Sequence, residues 1–171
     1  MTEERSKRFK LFIRVPDRST STLYALMPVV KGLKSLLVNG KPVKQNIING
    51  YAEIKRTWKR GDRVELELPM EIQTITPDNR VEAVRGRIAL RYGPLIYNVE
   101  KADQPDIDKY IGTGPLLPEW DKDLLGGVMT IKGKWSDGSS LVAVPNYARC
   151  NRMTKTDEKN QPHSAVWMKK Q

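Results

Sequence analysis

Residues 51–68 read YAEIKRTWKRGDRVELEL, and this stretch decides the fold class. In RVELEL, at residues 63–68, apolar and charged side chains alternate strictly, which predicts a strand with one buried face and one solvated face. Ala52, Ile54 and Trp58 share one parity in the segment before it, so Trp58 is expected in the core. The KRGD sequence between the two segments is typical of a turn, because glycine accepts a positive φ. Together they predict a β-hairpin.

Short strands separated by turns are predicted along most of the chain, and no long amphipathic helix appears. Further strands are expected, in chain order, at residues 9–15, 35–38, 72–75, 88–92, 95–99, 128–131, 141–144 and 165–168. The Asn39-Gly40 pair is a strong hairpin signal. Between Lys101 and Gly127 the pattern dissolves into prolines and glycines, where one or two helical turns are expected, near residues 107–111 or 120–125. The predicted class is therefore all-β, with antiparallel β-sandwiches, a long irregular loop region and little helix.

The length of 171 residues suits one ordinary domain or two small ones. A soft boundary lies between about residues 68 and 87, where the hairpin-rich first part ends. We expect a first β-sandwich part at residues 1–75 and a second at residues 76–171, as two small packed β domains.

The net charge of +10 is unevenly distributed: residues 1–99 carry +9, residues 100–123 carry −4 and residues 132–171 carry +5. Opposite signs are interleaved within the basic parts, as on the solvated face of a strand. No nucleic-acid recognition motif accompanies the charge, so no nucleic-acid partner is predicted. Apolar runs are only a few residues long, and MTEERSKRFK has no apolar stretch typical of a signal peptide. No membrane partner is predicted, and the compartment stays open.

One cysteine, Cys150, and one histidine, His163, exclude an internal disulfide, a multi-cysteine metal cluster and most familiar catalytic constellations. A Cys150–His163 nucleophile pair is conceivable, but no neighbouring sequence feature activates the thiol, and the pattern favours a lone buried cysteine. The serines lack a nucleophile elbow. The sequence therefore predicts no catalytic residue, no metal and no cofactor.

A carbohydrate-binding role is the one site hypothesis that the residues support. Glu119 and Asp121 flank Trp120, and carboxylates beside an aromatic ring suit sugar chemistry, although carboxylates in such a loop are more often simply solvated charges. Trp135 also has a loop-like sequence context, whereas Trp167, like Trp58, has the apolar neighbours of a core residue. The candidate carbohydrate-binding residues are Trp120, Trp135, Glu119 and Asp121.

The segments described above also follow one another in an order that resembles a known family. They are FKLFIRVP (9–16), VNG (38–40), GYAEI (50–54) with Arg56 and Trp58, Gly61-Asp62, LELPM (66–70), RIALRYGPLIY (87–97), Glu100, Asp103, VPNYA (144–148) and Asn151-Arg152. This succession resembles the C-terminal β-sandwich region of glycoside hydrolase family 127, the β-L-arabinofuranosidase-like enzymes, over nearly the whole chain.

The resemblance implies that catalysis belongs elsewhere in the parent protein. In that family the catalytic glutamates and a zinc-bound cysteine cluster lie in an N-terminal (α/α)6 barrel, and Cys150 matches no zinc-ligand motif. The chain is therefore expected to be a fragment or separate module of a glycoside hydrolase, with its first sandwich incomplete on the N-terminal side. The resemblance is compatible with a parent enzyme located in the periplasm or outside the cell.

The resemblance also defines the expected function, which is that of a non-catalytic module packing against or supporting the barrel. The barrel is then its main partner, with a homodimer and a carbohydrate as further candidate partners. The alternative is a carbohydrate-binding module that uses the loop tryptophans.

Overall fold

The computed structural model describes residues 6–16, 21–152 and 163–170. Its strands are β1 (Lys7–Arg14), β2 (Tyr24–Met27), β3 (Ser35–Val38), β4 (Lys41–Pro42), β5 (Ile47–Ile48), β6 (Tyr51–Trp58), β7 (Val64–Glu67), β8 (Ile72–Pro77), β9 (Arg87–Tyr92), β10 (Leu95–Glu100), β11 (Leu117–Asp121), β12 (Val128–Lys134), β13 (Ser140–Pro145), β14 (Ser164–Ala165) and β15 (Met168–Lys169). Within these residues, helix is confined to two 3₁₀ turns, at Glu82–Val84 and Asn146–Ala148. All strand pairs are antiparallel, which confirms the predicted all-β class.

The described chain forms two compact units. Unit 1 contains residues 6–16 and 30–69, and unit 2 contains residues 21–29, 70–152 and 163–170. The short segment of residues 21–29 belongs to unit 2 because its strand β2 pairs with β8.

Unit 1 has two three-stranded sheets, ordered β1-β6-β5 and β4-β3-β7. Its core takes buried side chains from both sheets and from their connections: Val15, Leu33, Leu36, Val38, Ala52, Ile54 and Trp58. Trp58 is only 8% exposed, and its indole N–H donates to the Phe9 carbonyl at 3.3 Å. The predicted core position of Trp58 is confirmed.

One of the two predicted hairpins in unit 1 is correct and the other is wrong. Asn39 and Gly40 have φ values of 52° and 73°, as a tight two-residue turn requires, and they join the paired strands β3 and β4. In contrast, β6 pairs with β1 and β5, whereas β7 pairs with β3. The KRGD turn therefore links two different sheets, because β6 pairs with β1 and the adjacent β5, whereas β7 pairs with the distant β3.

Unit 2 is built on one sheet, ordered β11-β12-β13-β10-β9-β8-β2, with β14 also pairing with β10 and β15 with β9. Its core contains Ile88, Leu90, Tyr97, Val99, Ile107, Ile111, Ile131, Trp135, Leu141, Ala143 and Met168. The Tyr97 hydroxyl donates to the Met129 carbonyl at 3.0 Å, and burial raises the pKa of Tyr97 to about 12. Trp167 is half-buried and stacks on Tyr24, with ring centroids 5.9 Å apart.

The region from Lys101 to Gly127 differs from its predicted structure. It contains no helix, and residues 117–121 form the edge strand β11, where a helical turn at 120–125 was expected. Ile107 and Ile111 are buried without forming a helical turn. Tertiary contacts with the core decide these conformations, since the local sequence has too many prolines and glycines to favour either regular structure.

No helix formed by the described residues is long and apolar enough to cross a membrane.

Candidate functional site

Trp120 lies on the edge strand β11, opposite Met129 of β12, and its side chain is 60% exposed. A Cβ added to Gly127 would clash with Cζ2 of the Trp120 ring. The indole therefore lies against the bare backbone of Gly127, which also has a φ of +117°. A glycine at this position lets the ring pack closely while much of its surface stays open to solvent.

The carboxylates of Glu119 and Asp121 do not lie on the same face of the sheet as the Trp120 ring. Side chains alternate along a strand, so Glu119 and Asp121 lie on the opposite face of β11. Asp121 also has a local structural role, because its Oδ1 accepts the backbone N–H groups of Asp123 and Leu124, both at 3.1 Å. The four candidate binding residues therefore do not converge on one surface.

Trp135 is in the core, and its expected place on a sugar-binding surface is wrong. It is 2% exposed, and its indole N–H donates to Oε1 of Gln104 at 3.3 Å. The Gln104 amide also bonds to the backbone of Val142, through its Oε1 at 3.0 Å and its Nε2 at 2.9 Å. A buried indole N–H needs an acceptor, and a distant glutamine in the irregular region supplies it.

A cavity of about 490 Å³ lies at the end of β12 in unit 2. It is lined by Gly112, Thr113, Gly114, Pro115, Leu117, Lys132, Gly133, Lys134, Trp135, Ser136 and Gly138. The sequence did not reveal this cavity, because its walls come from two segments, residues 112–117 and 132–138, that are separated along the chain. The sequence feature that could have pointed to this site was the spacing of Lys132 and Lys134, which places both side chains on one face of a strand.

Cys150 is exposed, so its expected burial is also wrong. Its backbone has a φ of 59°, and its N–H donates to Oε1 of Glu100 at 2.6 Å. Its sulfur lies 3.8 Å from the Ser164 hydroxyl. The hydrogen bond to the buried Glu100 carboxylate therefore holds Cys150 in place at the surface of unit 2.

The Glu100 carboxylate belongs to a polar network that fixes this connection. Arg152 donates to Oε2 of Glu100 at 2.8 Å and to both carboxylate oxygens of Asp103. The Asp103 carboxylate is the main cause of a raised Arg152 pKa, so the guanidinium stays charged. Glu100, Asp103 and Arg152 are all among the motif residues of the family resemblance, and the structure gives them a role in holding the backbone together.

Among the residues that the structure describes, no group of three or more His, Cys, Asp and Glu side chains is placed to hold a metal ion.

A second feature, in unit 1, is an exposed apolar and aromatic surface on the sheet β1-β6-β5. Leu11 and Ile13 pack against the core, so Phe12 and Arg14 point to the outer face of β1. In the register, Arg14 lies opposite Tyr51, and Ile48 of β5 lies opposite Tyr51 on its other side. We call Phe12, Arg14, Ile48 and Tyr51 the outer face of unit 1.

The outer face of unit 1 combines exposed apolar area with positive charge. Phe12 is 54% exposed and Tyr51 is 41% exposed. The Arg14 guanidinium lies over the Tyr51 ring, 5.3 Å from its centroid. A contiguous exposed patch of this kind is typical of an interaction surface.

Family models match almost the whole chain. Residues 1–70 match the model described as "Beta-L-arabinofuranosidase, GH127 middle domain", and residues 72–169 match the "Glycoside hydrolase family 127 C-terminal domain". A curated relative from Bifidobacterium longum subsp. longum, "Non-reducing end beta-L-arabinofuranosidase", is 32% identical over 109 residues. That match covers 59% of this chain but only 16% of the relative.

Solved structures give the same result at the level of the fold. A GH127 beta-L-arabinofuranosidase from Geobacillus stearothermophilus T6 matches with a TM-score of 0.77 and 27% identity, covering 98% of this chain and 27% of that protein. A second GH127 β-arabinofuranosidase, at 23% identity, shares the fold with a TM-score of 0.77 over 98% of this chain and 28% of its own. With both family models matched in order along the chain, the protein belongs to glycoside hydrolase family 127 and carries the regions described as its middle and C-terminal domains.

Proposed function

We propose that this chain is a non-catalytic accessory module, and that it packs against the N-terminal catalytic domain of a family 127 glycoside hydrolase. The observation that carries the proposal is the outer face of unit 1, where Phe12 and Tyr51 expose large aromatic side chains. Burying such rings stabilises an interface, because each removes a large apolar area from water. The matched family regions support the same role, since they are the middle and C-terminal parts of longer hydrolases.

The experiment combines an activity assay with a binding assay. The purified chain should not hydrolyse p-nitrophenyl β-L-arabinofuranoside, and Cys150→Ala should leave that result unchanged. The separately produced N-terminal domain of the Geobacillus relative should bind the chain, as measured by biolayer interferometry. Phe12→Ser should weaken that binding by about tenfold or more, because it removes one aromatic anchor.

A matched control tests whether the loss of affinity is specific to the outer face of unit 1 or follows from any apolar-to-polar substitution at the surface. Leu95→Ser changes another exposed apolar side chain, in unit 2, and should leave the affinity unaltered. Equal losses for both variants would contradict the proposed interface. Hydrolysis that Cys150→Ala abolishes would contradict the non-catalytic role. A concentration-dependent dimer that Phe12→Ser disrupts, with no binding of the N-terminal domain, would assign the outer face to a second copy of the chain and overturn the proposed partner.

The second candidate function is carbohydrate binding at Trp120. The exposure of the Trp120 ring favours this function. The ring packs on Gly127, so its position is fixed before a ligand arrives, and the apolar face of a pyranose or furanose could stack on it. Titration with plant-type oligosaccharides tests this role by isothermal calorimetry. Binding that Trp120→Ala abolishes would support it, and no binding across a broad glycan panel would refute it.

A further inference from the structure

The cavity at the end of β12 has walls that hydrogen bonds hold in place. The Gly112 N–H donates to the Lys134 carbonyl, and the Ser136 N–H donates to the Tyr110 carbonyl, both at 2.9 Å. The Trp135 N–H donates to the Ser139 carbonyl, also at 2.9 Å. These bonds tie two loops to the end of one strand. The cavity is therefore formed without a ligand, as is common for small-molecule sites.

The lining groups suit a small ligand that has both an apolar face and hydroxyl groups. Pro115 and Leu117 supply apolar surface, and Thr113 and Ser136 are exposed residues with hydroxyl groups. A volume of about 490 Å³ is large enough for one or two sugar rings.

Two lysines give the cavity a positive charge. Lys132 and Lys134 both line it, and they lie on the same side of β12 because they are two residues apart, about 7 Å along the strand. In the described parts of the chain, no salt bridge involves Lys132 or Lys134, so no ion pair there offsets their charge.

The acid in the adjoining turn is already engaged by another cation. Asp137 accepts from Lys109 at 2.8 Å and from the Ser139 hydroxyl at 2.5 Å. The hydrogen bond from Lys109 is the main cause of the lowered Asp137 pKa, so this carboxylate is ionised and its charge is balanced by Lys109. Asp137 therefore does not offset the positive charge of Lys132 and Lys134.

We propose that this cavity binds an anionic sugar of about one ring, which carries either a carboxylate or a phosphate group. The ammonium groups of Lys132 and Lys134 bind the anion, and Pro115 and Leu117 contact the apolar side of the ring. The site is separate from Trp120 and does not depend on the accessory role of the chain.

The test is titration of the full chain with four compounds, followed by calorimetry and by NMR. D-Galacturonate and D-galactose 6-phosphate carry the two candidate anions, D-galactose carries neither, and inorganic phosphate has no ring. At least one charged sugar should bind about tenfold more tightly than both D-galactose and phosphate, because charge-assisted hydrogen bonds and ring contacts act together. Its chemical-shift changes should map to residues 112–117 and 132–138.

Two double variants complete the experiment. Lys132→Gln/Lys134→Gln should weaken binding of the charged sugar by about tenfold or more. Lys41→Gln/Lys44→Gln removes the same net charge from unit 1 and should leave the affinity unchanged. Equal binding of D-galactose, equal binding of phosphate alone, equal losses in both variants, or no binding by any charged sugar would each overturn the proposal.

Discussion

Some tryptophans of this protein are buried and one is largely exposed, and the contacts of each side chain explain the difference. Trp58 and Trp135 are buried, and each indole N–H has an acceptor: the Phe9 carbonyl for one and the Gln104 side chain for the other. Trp120 packs on a glycine at a sheet edge and remains exposed. Burial of an indole thus depends on an acceptor and on neighbours that come from distant parts of the chain.

At the residue scale, Asp137 gives a prediction for the dependence of stability on pH. Its pKa is lowered below the ordinary 3.8, chiefly by the hydrogen bond from Lys109, so the folded state binds this proton more weakly than the unfolded state. Its contribution is therefore present above the unfolded pKa and is lost as the pH falls through the folded pKa. Asp137→Asn should lower the melting temperature at pH 7, and its difference from the wild type should narrow as the pH falls from roughly 5 towards 1.

The control for Asp137 is the same substitution in a Lys109→Gln background, where the main cause of the shift is missing. The effect of Asp137→Asn at pH 7 should be smaller there, as measured by thermal unfolding. A difference between the wild type and Asp137→Asn that grows as the pH falls would contradict the assignment.

At the scale of the element, the strands are locally encoded, but the pairing of β1 with β6 and of β3 with β7, unlike the Asn39-Gly40 hairpin, depends on distant parts of the chain. The alternation in β6 and β7 specifies two strands, yet these strands belong to different sheets. The edge strand β11 has a proline and two acids, which makes it a poor strand by composition, and its pairing with β12 orders it.

At this scale, Gly127 gives a second prediction. Gly127→Ala should destabilise unit 2 by about 1–3 kcal/mol more than Gly126→Ala, because only at Gly127 would the new Cβ meet the Trp120 ring. Gly126 also has a positive φ, of +79°, and nothing lies within 4 Å of a Cβ added there. Urea unfolding of the two variants measures the difference.

A double-mutant cycle isolates the contribution of the ring from that of the backbone. In a Trp120→Ala background, Gly127→Ala should cost less than in the wild type, because the clashing atoms are gone. The same cost in both backgrounds would mean that the backbone alone accounts for the glycine.

For the molecule as a whole, each unit has its own hydrophobic core. The core of unit 1 takes side chains from two sheets, and the core of unit 2 lies against one larger sheet. We therefore propose that the two units are separate domains, each stabilised chiefly by its own buried apolar side chains.

The two buried tryptophans test this domain organisation. Trp58→Ala should cost about 3–5 kcal/mol in unit 1, and Trp135→Ala should cost a similar amount in unit 2. Native-state hydrogen exchange should show that the first variant loses protection chiefly in β1, β3, β6 and β7. The second should lose protection chiefly in β9, β10, β12 and β13.

Loss of protection in the wrong unit would contradict the proposed domains. An unchanged melting temperature for Trp58→Ala would contradict its core position. Phe12→Ala is a suitable control, since it removes an exposed ring and should change the stability little.

The sequence by itself determined the all-β class, most of the strands, the turn at Asn39-Gly40, the burial of Trp58 and the family. These features depend on alternation, on turn chemistry and on ordered motifs, all of which are local. Only the tertiary structure decided how most strands pair, that Trp135 is buried while Cys150 is exposed, and that two separate segments enclose a cavity with Lys132 and Lys134. Those outcomes depend on contacts between residues far apart in the chain, and no local pattern contains that information.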